Sequence, residues 1–259
     1  MIDMDSILYN IKRFIPNTLL QKVRPLYHLL LSYAGAVWYR HPSQYLTVVA
    51  VTGTKGKSTV TEMTAHLLRT HGFKVASLST IRFMIDEEET PNLFKMTTPG
   101  RFFVQRFLRQ AVDDGCTHVV LEMTSEGAKQ FRHRFIEFDA LIFTNLSPEH
   151  IESHGSFENY KNAKLRIAGA VFRSKKRPRF LIANTDNEHG VDFLNFEVEH
   201  KIGYSLKDIS LYTLQKESVT MVIENTTIRV PLVGLFNVYN ALAATTLAQA
   251  LGITLATIE

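Results

Sequence analysis

Residues 49–60 read VAVTGTKGKSTV and combine the residue types of a phosphate-binding loop. The glycines let backbone N–H groups converge on phosphate oxygens, and a helix that follows presents its positive end to them. Lys57 adds a point charge, and the Ser58 hydroxyl is a suitable Mg²⁺ ligand. A glycine-rich turn that merely joins a strand to a helix is the alternative, but such a turn needs no Gly-Lys-Ser sequence. We therefore predict nucleotide binding by Gly53, Thr54, Lys55, Gly56, Lys57, Ser58 and Thr59.

This loop needs a strand before it and a helix after it, and the apolar pattern predicts both. Residues 45–51 (YLTVVAV) form a β-branched run typical of a buried parallel strand. Val60, Met63 and Leu67 then fall on one helical face, and Gly72 provides a left-handed stop. The alternation continues with buried-type strands and helical patterns at 74–80, 100–113, 118–124, 139–145, 156–173 and 179–185. It predicts an α/β fold with a doubly wound, mostly parallel sheet of the P-loop NTPase type.

The chain divides into two predicted regions. Residues 1–44 form a segment of N-terminal helices, and residues 45–255 form the nucleotide-binding domain. Within that domain, residues 201–233 change to short alternating runs, which predict a small antiparallel sheet attached to the main one. Residues 237–252 (NVYNALAATTLAQALG) predict a last helix.

Composition narrows the class of protein. With 259 residues, of which 45% are apolar, the chain can bury the core of a globular protein, and we expect a monomer. Its single cysteine, Cys116, cannot form an internal disulfide, which favours the reducing cytoplasm. The formal net charge is +4, but the basic residues are scattered and no run interleaves aromatic residues with arginines. No nucleic-acid partner is therefore expected.

The segment LYHLLLSYAGAVWY (26–39) is the candidate for membrane contact. It is shorter than the roughly 20 apolar residues that span a bilayer, so it is not expected to cross one. Four basic residues precede it in the sequence, at Lys12, Arg13, Lys22 and Arg24. Two alternatives stay open: a helix packed on the domain, or a helix attached peripherally to a membrane surface.

Six further motifs follow the loop in a characteristic order. They are MTTPG (96–100), VVLEMTSEGAKQFR (119–132), FTNLSPEHIESHG (143–155), YKNAK (160–164), NTDN (184–187) and GLFNVYNALAA (234–244). Together with a loop in which Val51 replaces the first Walker glycine, they resemble the Mur ligases of the UDP-N-acetylmuramoyl-tripeptide synthetase branch. The resemblance covers residues 45–255. It implies an ATP- and Mg²⁺-dependent ligase that adds an amino acid to a UDP-muramoyl-peptide precursor in peptidoglycan synthesis.

The implied chemistry explains the need for cations and metal ligands. A carboxylate is phosphorylated by ATP and an amine attacks the acyl-phosphate, so two anions must be neutralised and held in line. The resemblance makes Lys57, Glu122, His150 and Lys164 catalytic, with Lys164 carbamylated. It assigns the metal to Ser58, Glu122, His150 and the carbamate of Lys164. From the residues alone, three alternatives stay open: Glu122 as a solvated carboxylate at a strand end, His150 as a structural histidine and Lys164 as a surface lysine.

The resemblance also assigns substrate and nucleotide contacts. It places the muramoyl-peptide against Thr97, Thr98, Ser125, Gln130 and Arg132. The Arg132 guanidinium suits such a role because it can hold a carboxylate or phosphate with two hydrogen bonds. It places the nucleotide near Asn145, Asn237 and Asn240, whose amides both donate and accept hydrogen bonds. A turn closed by Pro99 is the alternative for the two threonines, and a helix N-cap is the alternative for Asn237.

Some positions depart from the family pattern. Lys55 and Met96 each replace an asparagine, and Glu126 replaces a histidine. Glu149 and Glu152 stand where aspartates are usual. Family members also have an N-terminal domain that holds UDP and a C-terminal domain that brings the amino acid. We expect the N-terminal domain to be missing, with residues 1–44 in its place, and the C-terminal domain to be absent after residue 259.

Two other functions stay open. A folylpolyglutamate-type ligase would share the loop and the lysine, although the TTP motif and the SxxxxQxR spacing favour the cell-wall branch. A non-catalytic nucleotide-binding module is the second alternative. It would not need the loop lysine, the metal ligands and the carbamylated lysine together, so their joint presence favours retained chemistry.

Overall fold

The computed structural model describes residues 17–94, 96–149 and 151–258, with side chains from residue 25 onward. The predicted metal ligand His150 and the first 16 residues of the N-terminal segment lie outside the described residues. The roles expected of them stay predictions.

Eleven strands are described in these ranges, and eight of them form the main sheet. Their bounds are β1 Thr47–Thr52, β2 Val75–Leu78, β3 Arg82–Ile85, β4 Glu88–Pro91, β5 His118–Glu122, β6 Ala140–Phe143, β7 Phe180–Asn184 and β8 His200–Tyr204. The strand order is β4–β3–β2–β5–β1–β6–β7–β8. The six strands from β2 to β8 in that order are parallel, while β3 and β4 add an antiparallel hairpin at one edge. The predicted doubly wound, mostly parallel sheet is confirmed.

Helices cover both faces of the sheet. Their bounds are α1 Asn17–Trp38, α2 Lys57–Thr70, α3 Arg101–Asp113, α4 Ser125–Lys129, α5 Ile151–His154, α6 Phe157–Arg173, α7 Gly190–Leu194, α8 Leu235–Ala250 and α9 Leu255–Ile258. Successive residues of β1 alternate between two buried cores, with Val48 and Ala50 on the α3 and α6 side and Val49 and Val51 on the α2 and α8 side. Burial on both faces explains the continuous apolar run of this strand.

The small antiparallel sheet is shorter than predicted. Its strands are β9 Leu211–Leu214, β10 Val219–Ile223 and β11 Thr226–Val230, in the order β11–β10–β9. Residues 200–204, which overlap the start of the range assigned to it, form β8 and pair in parallel with β7. The edge hairpin of β3 and β4 was also missed, because β4 is a fully exposed strand with two glutamates and no apolar signature.

Helix α1 lies against α3. Its buried residues include His28, Ser32, Gly35 and Ala36, spaced so that they share one face. The Ser32 hydroxyl donates to the backbone oxygen of Phe131 at 3.0 Å, which ties the helix to the domain. Among the described residues, no helix is long and apolar enough to cross a membrane. One face of α1 thus packs on the domain, as the packed-helix alternative for residues 26–39 predicted.

Candidate active site

The loop of residues 53–56 lies at the carboxyl end of β1, between the ends of β5 and β6. The connection from β1 leads to β2 on one side, whereas the connection from the adjacent β5 leads to β6 on the other side, and open parallel sheets bind their ligands at such a point. Helix α2 begins at Lys57, directly after the loop. Its first N–H groups have no partner inside the helix, so they are available to an anion.

Residues that follow β6 hold the loop in place. The Lys55 N–H donates to the Asn145 side-chain oxygen at 2.9 Å, and the Asn145 amide donates back to the Lys55 oxygen at 3.1 Å. The Thr144 hydroxyl donates to the same Lys55 oxygen at 2.7 Å, and the Thr54 N–H donates to the Asn145 backbone oxygen at 2.8 Å. Asn145, predicted as a nucleotide contact, is thus placed against the loop backbone, and Thr144 is a loop contact that sequence reasoning missed.

Helix α8 supports the loop from the other side. Asn237 and Asn240 are buried, and the Asn240 amide donates to the Asn237 side-chain oxygen at 3.0 Å. A Cβ built on Gly56 would lie 2.3 Å from the Asn240 side-chain oxygen. Asn240 therefore lies beside the loop with Asn237 next to it, and the nucleotide role of both stays a prediction. The N-cap alternative for Asn237 is wrong, because the helix begins at Leu235 with Gly234 as its N-cap.

We expect Gly56→Ala to weaken both folding and nucleotide binding. The backbone φ of Gly56 is +80°, which alone costs an alanine about 1–2 kcal/mol. Asn240 must also move and give up its bond to Asn237, which should bring the loss in unfolding free energy to roughly 2–3 kcal/mol. Gly252→Ala is the matched control, because φ is +88° there and a Cβ would meet nothing within 4 Å. Equal losses in denaturant unfolding for both variants would contradict the proposed packing.

Glu122, at the end of β5, contacts Ser58 at the start of α2. The Ser58 hydroxyl donates to a Glu122 carboxylate oxygen at 2.8 Å, and only 1% of Glu122 is exposed. The Thr80 N–H donates to the same carboxylate at 2.8 Å, and the Thr80 hydroxyl lies 3.0 Å from both of its oxygens. Thr80, which sequence reasoning missed, follows β2, the neighbour of β5. The pairing of those two strands brings it to Glu122.

These oxygens fit a magnesium ion. Mg²⁺ prefers oxygen ligands and commonly takes only one or two from the protein, with water and phosphate oxygens completing its shell. A hydroxyl and a carboxylate beside a helix N-terminus give that donor set. Within the described ranges no three His, Cys, Asp or Glu side chains form a cluster that could hold a metal alone. The oxygens of Ser58 and Glu122 are therefore suited to an ion that a bound nucleotide also ligates.

Lys57, which is partly buried, and Lys164, which is fully buried, lie close to the loop. The Lys57 ammonium donates to the Thr54 oxygen at 2.8 Å, and the Lys164 amine donates to the Gly53 oxygen at 2.6 Å. Burial lowers the pKa of Lys57, against the opposing charges of Glu122 and Glu149. Burial also lowers the pKa of Lys164 well below its usual range, and the charge of Lys57 adds to that effect. An anion bound here would relieve the repulsion between the two lysines.

Helix α6 positions Lys164. The helix begins after Ser156, whose hydroxyl accepts the Asn159 N–H at 3.1 Å. Tyr160 lies one turn before Lys164 on the same buried face, and its ring centroid is 4.8 Å from the Lys164 nitrogen. The Tyr160 and Thr54 hydroxyls are 3.0 Å apart. Only 2% of Lys164 is exposed, so the surface-lysine alternative is wrong.

The predicted substrate residues form two groups near Glu122. Thr98 is buried and its hydroxyl donates to the Glu122 backbone oxygen at 3.0 Å, while the Thr97 hydroxyl accepts from Thr80 at 2.8 Å. Ser125 opens helix α4, and its hydroxyl lies 3.1 Å from His154 Nε2. These contacts bring the two threonines next to the proposed metal ligands.

The second group surrounds Arg132. Its guanidinium donates to the Gln130 side-chain oxygen at 2.7 Å and to the Thr98 backbone oxygen. Two of the departures from the family pattern, Met96 and Glu126, also touch this group. Met96 Sδ lies 3.4 Å from Arg132, and the Gln130 amide donates to the Glu126 carboxylate at 2.8 Å. Two of the five departures thus lie at this end of the site, while Lys55 and Glu149 pair with each other at the loop.

Comparisons with known proteins point to one family. The family described as Mur ligase middle domain matches residues 51–248. A UDP-N-acetylmuramoyl-L-alanyl-D-glutamate--2,6-diaminopimelate ligase of Geobacillus thermodenitrificans is 33% identical over 236 residues, which cover 85% of this chain and 47% of the relative. A ligase of the same name from Parabacteroides distasonis is 33% identical over 220 residues, covering 83% and 44%. The chain spans about half the length of the curated relatives it matches.

Solved structures agree with these relatives. A structure of a UDP-N-acetylmuramoyl-L-alanyl-D-glutamate--2,6-diaminopimelate ligase superposes with a TM-score of 0.71 at 28% identity, covering 82% of this chain and 45% of that one. A variant of L. casei FPGS superposes with a TM-score of 0.67 at 17% identity, covering 91% and 65%. The second likeness shows the fold alone.

Proposed function

Because this chain belongs to the Mur ligase family, we propose that it is the ATP-binding domain of a ligase that adds an amino acid to a UDP-muramoyl-peptide precursor of peptidoglycan. We place this domain at residues 45–255. One observation carries the proposal: the loop, the Ser58–Glu122 pair and the buried Lys164 converge at the carboxyl end of β1. That arrangement supports chemistry between anions rather than nucleotide binding alone.

Each residue of the site then has a task. The amides at the start of α2 and the Lys57 ammonium bind the phosphates of ATP and orient them. Ser58 and Glu122 would hold Mg²⁺, with Thr80 fixing the carboxylate by hydrogen bonds. ATP with its Mg²⁺ supplies the phosphoryl group that activates a carboxylate for attack by an amine. Lys164, as a carbamate, is proposed to hold a second Mg²⁺ together with His150.

The Arg132 end of the site is proposed to bind the muramoyl-peptide. Gln130 and Thr98 fix the guanidinium, so little side-chain freedom is lost when an anionic group binds. Thr97, Thr98 and Ser125 line the path from Arg132 to the proposed metal ligands. The replacements at Met96 and Glu126 touch this end, so we propose that the precursor differs there from that of the curated relatives.

The remaining partners are also proposals. The amino acid is the second substrate, the protein is a cytoplasmic monomer, and residues 26–39 contact a membrane surface without crossing it. No nucleic-acid partner is proposed.

The function is tested by following ATP hydrolysis with Mg²⁺, with and without UDP-muramoyl-dipeptide or a folate. We expect the muramoyl precursor to stimulate turnover. Glu122→Gln should lower the stimulated rate of ATP hydrolysis roughly 10²–10³-fold, because a ligand of the ion that neutralises phosphate charge is lost. Stimulation by folate alone would instead support the folylpolyglutamate-type ligase. Nucleotide binding with no turnover in either case would support the non-catalytic module.

A further inference from the structure

Helix α1 has a second face that the domain leaves exposed. The stripe formed by this face, called here the α1 stripe, consists of Leu26, Leu30, Tyr33, Val37 and Trp38. The first four are spaced by four, three and four residues, which aligns them along one side of the helix. Leu30 is 57% exposed and Trp38 is 73% exposed, although contact of such apolar surface with water is unfavourable.

The composition of the stripe suits the boundary of a bilayer. Leucine and valine are apolar throughout, whereas tyrosine and tryptophan have a large apolar ring and one polar atom. Such aromatic residues are enriched where a membrane meets water. The α1 stripe has its two leucines toward the start and Trp38 at the end of the helix. It can therefore lie in the plane of an interface along its length.

Three arginines form a cluster near this stripe. Arg134 precedes β6, and Arg166 and Arg173 lie on α6. Burial, followed by the charges of all three arginines, lowers the pKa of the neighbouring His133 to about 3. Burial and then the charge of Arg134 lower the pKa of Arg173. The charges of all three guanidinium groups thus act on His133, the chain neighbour of Arg134.

Arg134, the first of these arginines, lies beside the stripe. The Phe135 ring centroid lies 5.3 Å from that of Tyr33, and the Arg134 guanidinium carbon lies 5.9 Å from the Phe135 centroid. In the ranges that the structure describes, Arg134, Arg166 and Arg173 form no ion pair. An apolar surface with adjacent unpaired cations is complementary to acyl chains beside anionic headgroups.

We propose that the α1 stripe and the arginine cluster together bind the surface of a bilayer that contains anionic lipids. The stripe enters the headgroup boundary, and the arginines contact lipid phosphates at the same surface. A second copy of the chain fits this face less well. A two-fold contact would place two copies of the same positive cluster near one another, which is repulsive. The proposal does not depend on the ligase function.

The test uses the full 259-residue chain and its single tryptophan, which is Trp38. Vesicles of phosphatidylcholine are compared with vesicles that also contain roughly 30–50% phosphatidylglycerol, which makes their surface strongly anionic. We expect a blue shift of the Trp38 emission and co-sedimentation with the anionic vesicles. Both should weaken as salt is raised, because the charges at the surface are screened.

Variants separate the two parts of the site. Leu30→Glu should reduce partitioning to anionic vesicles more than tenfold. Arg134→Gln and Arg173→Gln should each reduce it about fivefold, since a basic residue near an anionic surface contributes at that scale. Leu211→Glu and Lys207→Gln are the controls, because both residues are exposed but lie at a distance in sequence and fold, on or next to the small sheet. The controls should bind as the unchanged chain does.

Several outcomes would overturn the proposal. One is an unchanged emission with anionic vesicles, and another is equal binding by Leu30→Glu and the unchanged chain. A third is a dimer by analytical ultracentrifugation that Leu30→Glu dissociates while no vesicle is bound, because the face would then join two copies. Thermal unfolding of each variant confirms that a loss of binding is not a loss of fold.

Discussion

Replacing Lys57 with alanine should lower the affinity for Mg·ATP roughly 10–100-fold, because a hydrogen bond to a charged partner contributes about 1.5–3 kcal/mol. Lys57 opens α2, and its ammonium donates to the Thr54 oxygen of the loop, so it is already directed to the phosphate side. Burial disfavours the positive charge of Lys57, and a bound anion would stabilise that charge. Isothermal titration calorimetry measures the change directly.

The matched control is Lys55→Ala, two residues earlier in the same loop. The Lys55 side chain is 76% exposed and pairs with Glu149 at 3.4 Å. An exposed ion pair contributes little, so its loss should change the affinity by no more than about threefold. Unchanged affinity in Lys57→Ala would rule out the assignment of the loop lysine to the phosphates. A large loss in both variants would show that the loop responds to total charge instead.

Replacing Lys164 with alanine should lower precursor-dependent ATP turnover roughly 10²–10³-fold, the usual effect of removing one stabilising group from an active site. A short-chain carboxylate such as acetate should restore part of it by occupying the space of the lost carbamate. Lys161→Ala is the control on the same helix, since Lys161 pairs with Glu158 and Asp192 at the surface. Full turnover by Lys164→Ala would show that the lysine only packs.

The carbamate can also be observed without turnover. Carbon dioxide reacts with a neutral amine, and the lowered pKa of Lys164 makes its neutral form available at lower pH than for an exposed lysine. With ¹³C-bicarbonate, a carbamate resonance should grow as pH rises and disappear in acid. It should be absent from Lys164→Ala and present in Lys161→Ala. A signal that survives in Lys164→Ala would place the modification elsewhere.

Local sequence was sufficient where one segment determines its own structure. The loop, the continuous apolar run of β1 and the helix that Ser156 caps all have signals within a few residues. The fold class followed from repeating these signals along the chain. The role of Lys164 was different, because YKNAK alone gave a surface lysine and only the resemblance to a family suggested a carbamylated metal ligand.

Contacts between distant segments could not be predicted in this way. Thr80 reaches Glu122 because β2 pairs with β5, and 42 residues separate them in the chain. Asn145 bonds to the loop 90 residues before it because β6 lies beside β1. The Met96 contact with Arg132 has the same origin in tertiary packing. Such partners depend on strand order, which the periodicity of one segment does not encode.

The edge hairpin has a consequence for self-association. An open sheet presents unpaired N–H and C=O groups at its outer strands, and these can template pairing with another molecule. At one border of the main sheet, β4 carries Glu88, Glu89 and Pro91 and is exposed throughout. Negative charge and a missing N–H both oppose the addition of a further strand there. At the opposite border, His200 and Lys201 are exposed on β8. The charged borders protect the sheet against aggregation, and at β4 that protection depends on the two glutamates and Pro91.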